Sequence, residues 1–148
     1  ARPRCALRLQ LNQRTELAYR ALDVLEHSGS VYLSGKRIAE QLDVSAQYLT
    51  KVMAPLARAG WVTTLTGPSG GYRLAIDLSV HCLLDLVEVV EGTVDRSRCM
   101  HGDSRNPAEE LCKLHTPWVK ARDALLNELA VTPLAEIKHP QLHDGRSE

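Results

Sequence analysis

Residues 34–74 read SGKRIAEQLDVSAQYLTKVMAPLARAGWVTTLTGPSGGYRL, and the order of elements in this stretch decides the fold. Ser34 has the side chain of a helix N-cap, and Ile38, Ala39 and Leu42 follow at helical spacing, which predicts a short helix to about residue 42. Asp43-Val44 is a tight break. Ser45 then caps a second helix, in which Leu49, Val52, Met53 and Leu56 fall at i, i+3, i+4 and i+7 and therefore face inward. Gln47, Tyr48, Thr50 and Lys51 are left on its other faces. Gly60 is a natural stop. Pro55 lies inside this pattern, where it removes a hydrogen bond and crowds the preceding turn, so a kink or an early end is expected there. Trp61 to Thr66 is β-branched and alternating, Gly67-Pro68-Ser69-Gly70-Gly71 is a turn cluster, and Tyr72 to Ile76 is a second short strand. Helix, break, helix and glycine-centred hairpin make a winged helix-turn-helix. The fold class expected is mainly α, with a two-stranded wing.

Upstream, Ala18, Ala21, Leu22 and Leu25 place a helix over Thr15 to His27, closed by Gly29. Downstream, Ser79 is expected to cap a helix over residues 80–91, with Leu83, Leu84, Leu86, Val87 and Val90 apolar and Gly92 as its stop. Residues 93–115 have no period and read as a loop. Thr116-Pro117 looks like an N-cap followed by proline at the first helical position. The long helix from Trp118 to Ala130 carries Trp118, Ala121, Leu125 and Leu129 on one seam. The expected organisation is an N-terminal extension over 1–9, a DNA-binding domain over 10–78, a cysteine-containing loop and long helix over 79–138, and a disordered tail over 139–148.

Of the 148 residues, 44% are hydrophobic, enough for a core, but only 4% are aromatic and none is Phe, so Leu, Val, Ile and Ala must fill it. No apolar run approaches the roughly eighteen residues of a membrane helix, and no signal-peptide pattern opens the chain. No membrane partner is expected, and a cytoplasmic protein is. The formal net charge is zero, yet residues 1–75 hold ten Lys and Arg against five Asp and Glu, and residues 76–148 hold eight against thirteen. A basic half beside an acidic half suits a module that meets phosphate on one side. Four cysteines in a reducing compartment argue against a disulfide framework.

A helix fits the major groove of B-DNA, and its N-terminal residues reach base edges while its free amides face phosphate. Here that end holds Ser45, Ala46, Gln47, Tyr48 and Lys51. Gln47 can pair with adenine through two hydrogen bonds, Ser45 and Tyr48 suit phosphate or sugar, and Lys51 suits phosphate or guanine. In the wing, Ser69 lies among glycines that allow close approach, and Arg73 supplies charge. The competing reading is a protein-interaction module built on the same scaffold, which the basic wing and the Gln47-Tyr48-Lys51 set disfavour. Paired carboxylates, a nucleophile motif and a phosphate loop are all missing from the sequence, so no enzyme is expected.

Several segments resemble the Rrf-two family of bacterial regulators, whose members respond to iron–sulfur clusters, nitric oxide or cysteine status. They are Ile38-Ala39-Glu40-Gln41-Leu42, Val44-Ser45-Ala46-Gln47-Tyr48-Leu49, Leu56-Ala57-Arg58-Ala59-Gly60-Trp61-Val62, Gly67-Pro68-Ser69-Gly70-Gly71-Tyr72-Arg73-Leu74 and Leu83-Leu84-Asp85-Leu86-Val87-Glu88-Val89-Val90-Glu91-Gly92. Their order extends over residues 9–137. The resemblance implies a transcriptional regulator, a homodimer crossing at the Trp118–Leu129 seam, and a roughly palindromic double-stranded DNA operator.

Cluster-binding members of that family carry three cysteines before the dimerisation helix. This chain has two, Cys99 and Cys112, with twelve residues between them. A [2Fe–2S] cluster needs four ligands. His115 stands three residues after Cys112, where some relatives place a histidine ligand, and Glu16 matches a position from which some relatives present a carboxylate of the other subunit. His101 stands two residues after Cys99. The resemblance thus implies a [2Fe–2S] cluster on Cys99, Cys112 and two of His115, Glu16 and His101, with redox state, nitric oxide or iron–sulfur status as the signal. Three alternatives stay open: a reversible Cys99–Cys112 thiol switch, zinc on the two Cys and two His, or cysteines without a role. Cys82 reads as core and Cys5 as outside the folded pattern, while His27, His81, His139 and His143 read as surface residues.

Overall fold

Three polar side chains set where the first three helices begin. The computed structural model describes residues 11–93 and 115–137, with His115 by its backbone alone. Asn12 accepts from the Arg14 amide at 3.2 Å and opens α1 (Gln13–Ser28). Ser34 accepts from the Arg37 amide at 3.2 Å and opens α2 (Gly35–Leu42), and Ser45 accepts from the Tyr48 amide at 3.1 Å and opens α3 (Ala46–Arg58). Each cap satisfies an amide that has no carbonyl one turn earlier. Between α2 and α3 the chain reverses at Asp43, whose φ of 55° is left-handed, and the Val44 amide closes the turn on the Ala39 carbonyl at 3.0 Å.

The apolar positions of the three helices converge as their spacing demands. Ala18, Leu22 and Leu25 of α1, Ile38 and Leu42 of α2, and Leu49, Val52, Met53 and Leu56 of α3 are buried, with Trp61 and Val62 beneath them. Each fully buried leucine contributes about 2 kcal/mol of hydrophobic free energy. Tyr19 joins this core, and burial, reinforced by Asp23 and Glu26, pushes its phenol up to about 12, so it stays neutral.

The expectation of an interruption at Pro55 is overturned in one respect: α3 does not end there but continues to Arg58. Pro55 is buried, and its carbonyl accepts from the Ala59 amide at 3.0 Å, so packing and the following turn outweigh the bond that its missing N–H forfeits.

β1 (Val62–Leu65) and β2 (Gly71–Leu74) pair antiparallel, with Val62 opposite Leu74 and Thr63 opposite Arg73. Gly70 closes the connecting turn on Gly67 at 3.0 Å. Gly71, at φ 145°, is required: a Cβ there would collide with the Leu33 carbonyl. That contact reflects a third pairing, since Leu33 bridges Tyr72 through two hydrogen bonds of 2.9 and 2.7 Å.

The chain divides after Ala75 into two compact units. In the second, α4 (Leu83–Glu91) packs on α5 (His115–Val131), and a short 3-10 turn follows at Leu134–Glu136. Here two expectations need correction. Ser79 does not cap α4, because Asp77 captures it first: one Asp77 oxygen accepts from both the Ser79 amide (2.9 Å) and its hydroxyl (2.6 Å). The helix starts three residues late, at Leu83. Cys82 is its N-cap residue, half-buried rather than core, with its amide donating to Asp85 at 3.0 Å. The delay also reflects pairing with the segment after α5, for Cys82 bridges Pro133, the Leu83 amide bonds the Thr132 carbonyl at 3.0 Å and the Leu134 amide bonds the His81 carbonyl at 2.9 Å. The start of α5 differs too. Thr116 lies within the helix and is not its N-cap.

Candidate nucleic-acid interface

Burial on α3 is one-sided. Leu49, Val52, Met53 and Leu56 point inward, whereas Ser45, Ala46, Gln47, Thr50 and Lys51 are exposed and Tyr48 is half-buried. Ser45 Oγ accepts from the Tyr48 amide, and its hydroxyl proton stays available to an external acceptor. Thr50 turns its hydroxyl back onto the Ala46 carbonyl at 2.9 Å. The amides of Ala46 and Gln47 sit in the first turn, where no helical acceptor reaches them. The exposed end of α3 therefore presents two donor amides, the Gln47 amide group and the Lys51 ammonium.

Tyr48 also forms one wall of a shallow pocket lined by Gln13, Glu16, Leu17, Arg20 and Val44. Glu16, expected as a metal ligand, is exposed in the first turn of α1 at this pocket. Among the described residues no three His, Cys, Asp or Glu side chains gather as a metal site. Cys99, His101, Cys112 and the side chain of His115 lie outside the described residues, as do Cys5, His139, His143 and the expected extension and tail.

In the wing, Ser69 is exposed in the Gly67–Gly70 turn. Arg73 is held differently from a freely extended surface arginine, because its guanidinium lies over the Tyr32 ring, 4.6 Å from the centroid. Sequence reasoning missed Tyr32. The run Val31-Tyr32-Leu33 has strand-forming residues, but its pairing partner lies about forty residues away and leaves no local signal. Lys36 and Arg37 were also missed. Both are exposed in the first turn of α2, where a helix N-terminus and two cations favour an anion together.

The sequence matches the Rrf2 family, described as an iron-dependent transcriptional regulator, over residues 11–140. The chain belongs to the Rrf2 family. Among its relatives, the HTH-type transcriptional regulator IscR of Photobacterium profundum is 30% identical over 130 residues, covering 86% of this chain and 75% of that protein. Protein rrf2 of Nitratidesulfovibrio vulgaris is 29% identical over 133 residues, 87% of each chain. The solved structure of CymR, the global cysteine regulator of B. subtilis, superposes with a TM-score of 0.66 at 25% identity, covering 87% of this chain and 95% of that one. The winged-helix architecture is thus that of Rrf2 regulators, and both IscR and CymR carry the name of regulators. No described helix of this Rrf2 protein is long and apolar enough to cross a membrane.

Proposed function

We propose that this Rrf2 regulator binds double-stranded DNA as a homodimer, with the first turn of α3 in the major groove and the wing against the backbone. The observation that carries the reading is the outward presentation of Gln47 and Lys51, with Tyr48 half-buried beside them and suited to phosphate or sugar, on a helix whose opposite face is fully buried. Gln47 reads a base edge, Lys51 and the amides of Ala46 and Gln47 take phosphate, and Ser45 fixes the helix start and donates its hydroxyl. Ser69 and Arg73 engage the backbone from the wing. The dimer forms on α5: along its apolar seam Ala121 and Leu125 are exposed and Trp118 and Leu129 half-buried, so among the described residues the seam is only partly covered.

The sensing element in this reading is the segment bearing Cys99 and Cys112. Two thiolates with two of His115, Glu16 and His101 amount to the four donors that a [2Fe–2S] cluster requires, and Glu16 is exposed and accessible to a ligand. Such a cluster supplies a group sensitive to oxidants, nitric oxide and iron supply. Imidazole and carboxylate hold iron less firmly than thiolate, which suits a centre that must be lost to signal. The IscR relatives support this reading. A second is supported by the likeness to CymR, which includes an oxidised form of the Staphylococcus aureus protein at 25% identity and a TM-score of 0.65: Cys99 and Cys112 would then switch as a thiol pair without metal.

One anaerobic preparation tests both. Visible absorption with bound iron and sulfide, lost in Cys99→Ala, supports the cluster. Colourless protein after anaerobic reconstitution, with a mass loss of two hydrogens on mild oxidation, supports the thiol pair, and stoichiometric zinc would replace both. DNA binding is tested separately by titrating duplex DNA at several salt concentrations. Affinity must fall steeply with salt, and a flat response would reject the interface.

A further inference from the structure

The wing is a hairpin only by its two named strands. Leu33 pairs antiparallel with Tyr72, and this register sets Tyr32 directly opposite Arg73, whose other neighbour across the sheet is Thr63. Side chains alternate across a pleated sheet, so Tyr32, Arg73 and Thr63 form one row on one face. Val62, which is buried, and Leu74 opposite it belong to the other face. The row therefore projects away from the core. Thr63 is exposed, its hydroxyl bonding the Arg73 carbonyl at 3.4 Å, and the Arg73 guanidinium lies over the Tyr32 ring. Among the described residues no carboxylate pairs with Arg73.

Stacking has a directional consequence. An arginine that gives its planar face to an aromatic ring keeps its N–H donors along the edge, where a phosphate can accept two parallel hydrogen bonds. It also loses rotamer freedom before binding, so less is lost when the phosphate arrives. The backbone on the α2 side of Tyr32 is held, since Leu33 is clamped to Tyr72 and Ser34 caps α2.

We propose that Tyr32 is a positioning residue for DNA binding: it holds Arg73 as a preorganised, edge-on phosphate donor in the wing. The proposal rests on the wing contact put forward above and adds to it a residue that touches no DNA itself.

The test is a double-mutant cycle read on duplex DNA that the wild-type protein has selected from a random library. Arg73→Ala establishes the wing contact, weakening binding and lowering the slope of log affinity against log salt by about one. Tyr32→Leu keeps the charge, so its salt slope stays at the wild-type value while affinity falls about three- to fivefold, the scale of one exposed cation–π contact. Tyr32→Phe, which keeps the ring, restores wild-type affinity. In the Arg73→Ala background, Tyr32→Leu has no further effect. A tyrosine that merely supported the fold would weaken binding equally in both backgrounds, and that result overturns the proposal. So does a neutral Tyr32→Leu beside a damaging Arg73→Ala, which leaves the wing contact standing and removes only its positioning. If Arg73→Ala itself leaves affinity and salt slope unchanged, the wing contact and the role of Tyr32 fall together.

Discussion

Lys51 shows how a single position on α3 separates function from stability. It is exposed on the helix whose opposite side forms the core, so its ammonium has no part in packing. Lys51→Ala should shift stability by no more than about 0.5 kcal/mol, as for an ordinary surface change, and lower the salt slope of DNA binding by about one. Thermal melts and salt titrations measure the two effects on the same sample. Ser45→Ala is the converse. It removes the acceptor for the Tyr48 amide, and melts should show a loss of about 1 kcal/mol, with DNA affinity falling as the first turn frays. Asp85 gives a prediction in pH. The Cys82 amide, then the Cys82 thiol and His81, hold its carboxyl below the ordinary 3.8. A carboxylate depressed by folding stabilises above its unfolded value and ceases to do so as pH falls through the folded one. The advantage of wild type over Asp85→Asn should therefore be complete above pH of about 4 and vanish in more acidic buffer, as followed by melts across that range.

At the scale of elements, what was legible in the sequence was what is decided locally. Ser34 and Ser45 cap α2 and α3 as read, because an N-cap needs only a side-chain oxygen and an amide three residues on. The inward faces of the three helices followed from spacing, and the glycine cluster from turn chemistry. The misreadings arose where two local motifs compete or where a distant strand intervenes. Ser79 could cap a helix or join an Asx turn with Asp77, and the turn wins because the segment before α4 is drawn into pairing with residues 132–134. The Leu33–Tyr72 bridge was invisible for the same reason of distance. The exposed end of α3 could be read from the pattern of its apolar residues, whereas the Tyr32–Arg73 stack could not. Gly71→Val tests the wing as an element. A side chain at a φ of 145° against the Leu33 carbonyl should cost on the order of 2 kcal/mol and weaken DNA binding, as read by melting and by titration with the same duplex.

For the whole molecule, the governing quantity is how many copies engage DNA together. Leu125 is 48% exposed at mid-helix on α5, while one residue on, Leu126 is buried. A glutamate at Leu125 should leave the monomer folded, since about half of the side chain already faces solvent, but split the proposed dimer in sedimentation and reduce operator affinity by at least about tenfold, because half the contacts of a palindromic site would be held by a separate molecule. Unchanged sedimentation would reject α5 as the dimer contact. The charge partition of the chain belongs to this scale as well: on the proposed DNA contact the basic unit ending near residue 75 would meet phosphate, while the acidic one beyond it would not. The contribution of the basic unit to association rate should shrink as salt rises.

The clasp between Leu33 and Tyr72 bears on how the molecule comes apart. A hairpin joined to its domain only through its own ends could peel away while the helices stay intact. Here peeling would also break two backbone bonds next to the start of α2, so the wing and the helix-turn-helix open together, and the amides of Leu33 and Tyr72 become a paired gauge of when the reading head loosens.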